Sequence, residues 1–225
     1  MIITIDGPAA SGKSTAARLL AQKLSASFLD TGAMYRAVTL AAMQASVNMN
    51  NEDELLGVIQ ANKFEFSVRD DEMSVRINGI DFTEQIRAPQ VTANARYIAS
   101  CPNVREKLVE MQRQFAAGMQ KIVTEGRDQG TVAFPDADIK FYLVADSAAR
   151  AKRRQADLRA KGDDQTLEQI QKAIEERDKS DENRTVGPLK PAEDAVIIDT
   201  TDLSIDGVVE KLLSYVKGGP HYAKR

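Results

Sequence analysis

The segment Gly7–Ser14 has the residue types and spacing of a phosphate-binding loop, G-x-x-x-x-G-K-S/T. Its two glycines can adopt backbone angles that other residues avoid, so consecutive N–H groups can point at phosphate oxygens. Lys13 adds a positive charge, and the Ser14 hydroxyl can bind Mg²⁺. The alternative is a glycine turn with a solvated lysine. We expect nine residues to bind a nucleoside triphosphate: Gly7, Pro8, Ala9, Ala10, Ser11, Gly12, Lys13, Ser14 and Thr15.

A second group of charged residues follows an apolar helical pattern. Ile170, Ile174, Arg177, Asp181 and Arg184 are spaced by four, three, four and three, so one continuous helix would carry all five on one face. Guanidinium groups at the edge of the core suit phosphate oxygens, and a carboxylate can accept from hydroxyls. A solvated helix end with ordinary ion pairs is the alternative.

Glu125-Gly126-Arg127-Asp128 directly follows a β-rich segment that starts at Ile122. In open parallel sheets the ligand crevice lies at the carboxyl ends of the strands. We therefore expect Glu125 to orient Mg²⁺ or its waters and Arg127 to offset charge on the transferred oxygens. The alternative is a turn stabilised by local ion pairs.

The elements that must position these residues alternate between strands and helices. A β-branched strand over residues 1–6 precedes the glycine loop, and Ala16, Ala17, Leu20, Ala21 and Leu24 recur at helical spacing after it. Further strands are predicted at 122–124, 139–144 and 195–199, separated by segments of helical length. This order predicts an α/β fold, a parallel sheet flanked by helices.

Three other segments have their own patterns. Residues 63–87 alternate apolar and polar side chains around the turn-like Arg69-Asp70-Asp71-Glu72, which predicts a small antiparallel sheet with a third short strand after Asn78-Gly79. A helix from about Pro102 is expected to bury Val104, Leu108, Met111 and Phe115. The basic run from Arg150 to Arg159, before the turn at 161–164, is either a short helical lid over phosphates or an exposed helix.

Composition narrows the possible functions. The 225 residues carry a net charge of −3 and few aromatic side chains, 5%, which disfavours a nucleic-acid-binding protein. No apolar run is long enough for a membrane span and no secretion signal is recognisable, so we expect a soluble, cytoplasmic protein with no membrane partner. The single cysteine, Cys101, and the single histidine, His221, are not site candidates.

Several motifs in this order resemble those of bacterial cytidylate kinases, and the resemblance covers nearly the whole chain. They are Asp30 to Arg36 (DTGAMYR), Glu125 to Thr131 (EGRDQGT), Phe134 to Ala137 (FPDA) and Arg177 through Arg184. The resemblance implies transfer of the γ-phosphoryl of ATP to CMP or dCMP by a monomer. It also implies a core of residues 1–30, 100–149 and 165–217, a monophosphate-binding subdomain 31–99, a lid 150–164 and a tail 218–225.

The same resemblance implies the acceptor-binding residues, which are Thr31, Tyr35, Arg36, Arg105, Arg127, Asp128, Arg177, Asp181 and Arg184. Within this set Arg105 and Asp128 would read the cytosine edge. Arg36, Arg127 and Arg184 would hold the acceptor phosphate, while Arg177 and Asp181 would contact the ribose. One departure is Arg96, at a position where better-known relatives carry a small hydroxyl residue.

The expected chemistry is in-line attack of a CMP phosphate oxygen on the γ-phosphorus. Lys13, Arg127, Arg150 and Arg154 would stabilise charge as catalytic residues, and Mg²⁺ would be held partly by Ser14 and Glu125. A phosphate oxygen is already ionised near neutral pH, so no general base is required. Another phosphate-loop kinase with a different monophosphate or a sugar as acceptor is the alternative. A guanine-nucleotide switch is disfavoured because the chain has no Asn-Lys-x-Asp motif.

Overall fold

The computed structural model of the protein describes residues 1–69, 72–160 and 162–218. The strands within these residues are β1 (Ile2–Asp6), β2 (Ser27–Asp30), β3 (Phe64–Arg69), β4 (Glu72–Ile77), β5 (Ile80–Asp81), β6 (Ile122–Gly126), β7 (Ile139–Val144) and β8 (Val196–Asp199). The α-helices are α1 (Lys13–Leu24), α2 (Thr31–Gln44), α3 (Glu52–Ala61), α4 (Pro89–Ser100), α5 (Pro102–Ala117), α6 (Ser147–Arg159), α7 (Leu167–Glu182) and α8 (Ile205–Gly218).

Five strands form a parallel sheet in the order β2-β6-β1-β7-β8, with β1 and β7 paired from Ile3 with Ile139 to Asp6 with Tyr142. The edge strand β8 pairs with β7 from Val196 opposite Phe141 to Asp199 opposite Val144. The predicted parallel sheet flanked by helices is therefore confirmed. Its strand β2 was not predicted.

The antiparallel sheet predicted for residues 63–87 is also confirmed, with the order β3-β4-β5. Phe64 lies opposite Ile77 and Arg69 opposite Glu72, while Ile80 in the short β5 lies opposite Ile77. Met73, Val75 and Ile77 of β4 are buried. Two residues of the predicted turn, Asp70 and Asp71, lie outside the described residues.

The chain divides into two compact units. The first comprises residues 1–24 and the described residues from Val123 onward, and the second comprises residues 25–122. The division into core, monophosphate-binding subdomain and lid stays a prediction, and tail residues 219–225 are outside the described part of the chain. Within residues 1–69, 72–160 and 162–218, no helix combines the length and apolar character that a membrane span needs.

The buried faces of two predicted helices can be compared with their patterns. All five apolar residues predicted for α1 are buried. In α5 the buried series runs Val104, Leu108, Gln112 and Ala116 at a constant spacing of four, whereas the predicted Met111 and Phe115 are half-buried. The core face of α5 is thus set by i to i+4 neighbours, and it includes a polar residue that an apolar pattern cannot reveal.

The prediction of one continuous helix through Arg184 was wrong. Helix α7 begins with a capping box formed by Thr166 and Gln169 and ends at Glu182, so Arg184 lies beyond it. The buried residues of α7 are Ile170, Ile174 and Asp178, whereas Arg177 is exposed. A constant step of four keeps Asp178 on the buried face, and the step of three to Arg177 turns that side chain towards solvent.

Candidate active site

The glycine loop connects the end of β1 to the start of α1, as its motif requires. A Cβ atom at Gly7 would lie 2.3 Å from the carbonyl oxygen of Leu143 in β7, so no other residue fits this close approach of loop and strand. Gly12 has a φ of +84°, which also favours glycine. The backbone conformation of the loop therefore depends on both glycines.

Lys13, Ser14 and Glu125 meet where α1 begins and β6 ends. The Ser14 hydroxyl donates to Glu125 Oε1 at 2.8 Å, and Lys13 Nζ lies 4.0 Å from Glu125 Oε2. Lys13 Nζ also donates to the carbonyl oxygen of Pro8 at 3.1 Å. A hydroxyl beside a carboxylate is the oxygen donor set that Mg²⁺ prefers, so Ser14 and Glu125 fit that ion.

The charge of Lys13 is sensitive to its surroundings. Burial lowers the pKa of Lys13 to about 7, with the positive charge of Arg127 adding to the shift and Glu125 opposing it. A lysine with a pKa near neutral is readily protonated when an anion binds beside it. Phosphate oxygens are such anions, so this site is suited to a ligand that carries several negative charges.

Arg127, Asp181 and Arg184 form an ionic cluster in the first unit. Arg127 Nε donates to Asp181 Oδ2 at 2.7 Å, and Arg184 Nη1 lies 3.8 Å from Asp181 Oδ1. Burial favours neutral Asp181, but Arg127 and Arg184 outweigh it and hold the pKa of Asp181 below its ordinary value. Burial likewise opposes the charge of Arg127, yet Asp181 raises the pKa of that guanidinium. Two guanidinium groups share one carboxylate here, which leaves this cluster able to bind a phosphate.

The two arginines predicted from the basic run differ sharply in their surroundings. Arg150 is buried, with Nη1 donating to Asp178 Oδ2 at 2.5 Å and to the carbonyl oxygen of Ala9 at 3.0 Å. Arg154 is exposed. Between them Arg153 donates to the carbonyl oxygens of Thr200 and Thr201. Arg150 therefore contacts the glycine loop directly.

Asp128 and Asp6 lie where β6 and β1 end. Asp128 is buried, and its carbonyl oxygen accepts from the N–H groups of Val132 and Ala133. Asp6 accepts from the N–H groups of Gln129 at 2.9 Å and Gly130 at 2.8 Å. Burial raises the pKa of Asp6 to about 7, although these two hydrogen bonds oppose the shift. Asp6 thus fixes the backbone that immediately follows Arg127 and Asp128.

The second unit contains the other predicted acceptor residues. Asp30 caps α2 through the N–H of Ala33 and pairs with Arg36 Nη2 at 3.0 Å. Burial favours neutral Asp30, but Arg36 outweighs it and lowers the pKa of that carboxyl. The guanidinium of Arg105 lies 5.6 Å from the centre of the Tyr35 ring. The structure thus pairs Arg36 with Asp30 and Arg105 with Tyr35.

Two further positions in this unit bear on the prediction. Thr31 is buried at the start of α2. Arg96 is exposed, lies 4.9 Å from the centre of the Tyr97 ring and donates to the Tyr97 hydroxyl at 3.2 Å. The Arg96 side chain, at the position where better-known relatives carry a small hydroxyl residue, thus contacts the neighbouring Tyr97 of α4.

Sequence reasoning missed two carboxylates in the first unit, Asp6 and Asp178. The signal for Asp6 is its place at the end of an apolar strand, directly before the loop. The signal for Asp178 is the spacing of four from Ile170 and Ile174, which competes with the spacing that selected Arg177. Neither signal identifies the backbone N–H groups that these carboxylates accept from, because those of Ala9 and Gln129 lie more than 100 residues away along the chain.

Comparison with known proteins identifies relatives of this chain. The chain is 43% identical over 217 residues to a cytidylate kinase of Lactobacillus johnsonii, covering 96% of this chain and 94% of that protein. It is 45% identical over 216 residues to a cytidylate kinase of Bacillus cereus, covering 96% of each. A crystal structure of an uncharacterized protein from Eubacterium ventriosum shares the fold, with a TM-score of 0.52, 14% identity and coverage of 96% of this chain and 98% of that one. The sequence profile of the cytidylate kinase family matches residues 3–218, and the chain belongs to that family.

Proposed function

We propose that this protein transfers the γ-phosphoryl of ATP to CMP or dCMP, giving CDP or dCDP. The observation that carries the proposal is the match to cytidylate kinases over 96% of the chain at 43% and 45% identity. We place the enzyme in pyrimidine nucleotide metabolism, as a cytoplasmic monomer.

The donor half of the reaction uses the glycine loop. ATP phosphates are held by the N–H groups of the loop and by Lys13, whose lowered pKa makes its charge responsive to a polyanion. Ser14 and Glu125, already joined by a hydrogen bond of 2.8 Å, would hold Mg²⁺. When bound, Mg²⁺ neutralises charge on the phosphate oxygens of the donor.

The acceptor half is assigned to the residues that the family resemblance implies. In the first unit, Arg127 and Arg184 share Asp181, so an acceptor phosphate can take over guanidinium donors without leaving Asp181 unpaired. Arg177 is exposed, as binding to a ribose hydroxyl requires. Asp128 is proposed to read the cytosine edge together with Arg105, with Thr31, Tyr35 and Arg36 completing the acceptor set.

The chemical step needs position and charge more than proton transfer. An ionised phosphate oxygen of CMP attacks the γ-phosphorus in line, and ADP leaves. Lys13 and Arg127, with Arg150 and Arg154, stabilise the negative charge on the transferred oxygens. The protein's contribution is to hold two anions close together, which water would not do.

A coupled assay of ADP release tests this function with CMP, dCMP, UMP, AMP and shikimate as acceptors. We expect CMP and dCMP to give turnover, with UMP, AMP and shikimate far weaker. Preferred use of AMP or shikimate would contradict the proposal and favour another phosphate-loop kinase. Shikimate separates a sugar-like acceptor from a nucleotide because it carries no base or phosphate.

A further inference from the structure

Asp178 is a buried carboxylate on the face of α7 that otherwise carries apolar side chains. Ile170 and Ile174 precede it at steps of four and pack with Ala151 of α6. Ala10 of the glycine loop and Leu158 of α6 pack against the same cluster. The helix pair α6 and α7 therefore already contacts the loop through apolar atoms, and Asp178 lies at the polar end of that contact.

The two carboxylate oxygens of Asp178 have separate partners. Oδ1 accepts from the backbone N–H of Ala9 at 3.1 Å, and Oδ2 accepts from Arg150 Nη1 at 2.5 Å. Arg150 Nη1 also donates to the carbonyl oxygen of Ala9 at 3.0 Å. Asp178 and Arg150 thus satisfy both polar backbone groups of Ala9, one from each helix.

The burial of this arrangement makes it consequential. Asp178 and Arg150 are each 7% exposed. If one of these charges is removed, water therefore cannot solvate the other. Removing one partner would leave a buried charge and an unsatisfied backbone group beside the loop. The position of Ala9 is therefore coupled to the pairing of α6 with α7.

The neighbours of Asp178 in the sequence have other surroundings. Arg177 is exposed, and Asp181 is bonded to Arg127 rather than to the loop. Adjacent positions of one motif therefore belong to two environments. Ala9 belongs to the loop expected to bind ATP, whereas Arg177 and Asp181 belong to the set expected to bind the acceptor.

We propose that Asp178 is a positioning residue for the donor site, holding Ala9 and Arg150 in the geometry that binds the ATP phosphates. It acts through these two residues and does not touch the acceptor. The inference rests on the proposed function for the identity of the acceptor. Its ATP-binding part can be measured without any acceptor.

The first experiment uses Asp178→Asn, which keeps one carbonyl oxygen for the Ala9 N–H and removes the anion that pairs with Arg150. We expect the KM for ATP to rise roughly ten- to a hundredfold, as for loss of a hydrogen bond to a charged group. The KM for CMP should stay within about twofold, because the acceptor residues keep their partners. Glu176→Gln is the matched control: it removes one carboxylate charge from an exposed position on the same helix and should change neither KM.

A second measurement separates this inference from the proposed function. The Kd of the N-methylanthraniloyl derivative of ATP, titrated without acceptor, should rise in Asp178→Asn by the same factor as the KM for ATP. Parent protein that binds the derivative but does not phosphorylate CMP would contradict the proposed function and leave this test intact. An unchanged Kd in folded Asp178→Asn, or a KM increase confined to CMP, would overturn the positioning role.

The double variant Asp178→Asn with Arg150→Gln covers the case in which the single variant fails to fold. It has no unpaired buried charge, and it is measured in the same way. We expect its affinity for ATP to equal that of Arg150→Gln alone and to lie below the parental affinity, since Asp178 acts largely through Arg150. Parental ATP affinity in the double variant, or independent losses that multiply, would show that Asp178 does not position Arg150.

Discussion

Lys13 illustrates how the surroundings of one side chain prepare it for an anion. Burial and Arg127 lower its pKa to about 7, while Glu125 favours the charged form. Its phosphate-binding role was predicted from eight contiguous residues, because the loop motif implies a specific backbone geometry. The Glu125 partner was predicted only as a metal-binding residue, because its hydrogen bond to Ser14 spans 111 positions of the chain.

Replacing Lys13 with alanine should remove the cation that offsets charge on the transferred oxygens. We expect Lys13→Ala to lose a factor on the order of 10² or more in kcat, as when one stabilising donor is removed from a transition state. Steady-state kinetics with saturating ATP and CMP measure this loss. Lys23→Ala is the control, since Lys23 is an exposed lysine in the last turn of the same helix. Unchanged kcat in folded Lys13→Ala would contradict the role given to Lys13.

Replacing Asp128 tests the proposed reading of the base. A carboxylate can accept from the amino group of cytosine, and uracil has a carbonyl oxygen there instead. Asp128→Ala should therefore lower the ratio of kcat/KM for CMP to that for UMP, by roughly tenfold if one charged hydrogen bond is lost. Asp136→Ala, at an exposed position ten residues from the strand β6, should keep the parental ratio. Equal selectivity in Asp128→Ala and the parent would refute base reading by Asp128.

At the scale of elements, the patterns that succeeded were those long enough to repeat. Helix α1 shows five apolar positions at helical spacing, and the 63–87 segment alternates over two strands. Strand β2 has four residues, three of them consecutively buried, so it shows neither alternation nor length. The end of α7 was missed because ionic residues continue its spacing past Glu182. Local sequence cannot tell a helix end from a loop that keeps the same contacts.

Asp6 joins the end of β1 to the segment after β6, and this link makes stability depend on pH. Its pKa in the folded protein is about 7 against an ordinary value of 3.8, mainly because of burial. Between these values the folded state binds more protons than the unfolded state. The stability that Asp6 contributes is therefore complete below about pH 4 and is lost as the pH rises through 7.

The pH dependence can be measured by urea unfolding of the parent and Asp6→Asn from about pH 5 to about pH 8. The asparagine cannot titrate, so the parent's free energy of unfolding should fall relative to that of the variant as the pH rises. Above the folded pKa the two curves should run parallel. A difference in unfolding free energy that stays constant over this range would show that Asp6 does not titrate as its burial implies.

At the scale of the whole molecule, contiguous motifs predicted the expected chemistry. They did not predict the polar contacts that position the residues of the first unit. The fold class and the family followed from ordered motifs along the chain. The hydrogen bonds from Ala9 to Asp178 and to Arg150 span 169 and 141 positions of the chain, and they exist only once α6 and α7 have packed beside the loop. Polar contacts of this kind depend on the tertiary fold, so no local sequence pattern can predict them.

The need to phosphorylate CMP rather than water is a property of the whole enzyme. Water can attack the γ-phosphorus of bound ATP, so a kinase must keep water out until the acceptor is present. We expect phosphate release from ATP without CMP to be slower than CMP-dependent ADP release by roughly a hundredfold or more, a barrier difference of about 2.7 kcal/mol. Both rates should fall when EDTA removes Mg²⁺, because Ser14 and Glu125 fit that ion. Comparable rates with and without CMP would show that phosphoryl transfer does not depend on the acceptor, and the proposed mechanism would then be wrong.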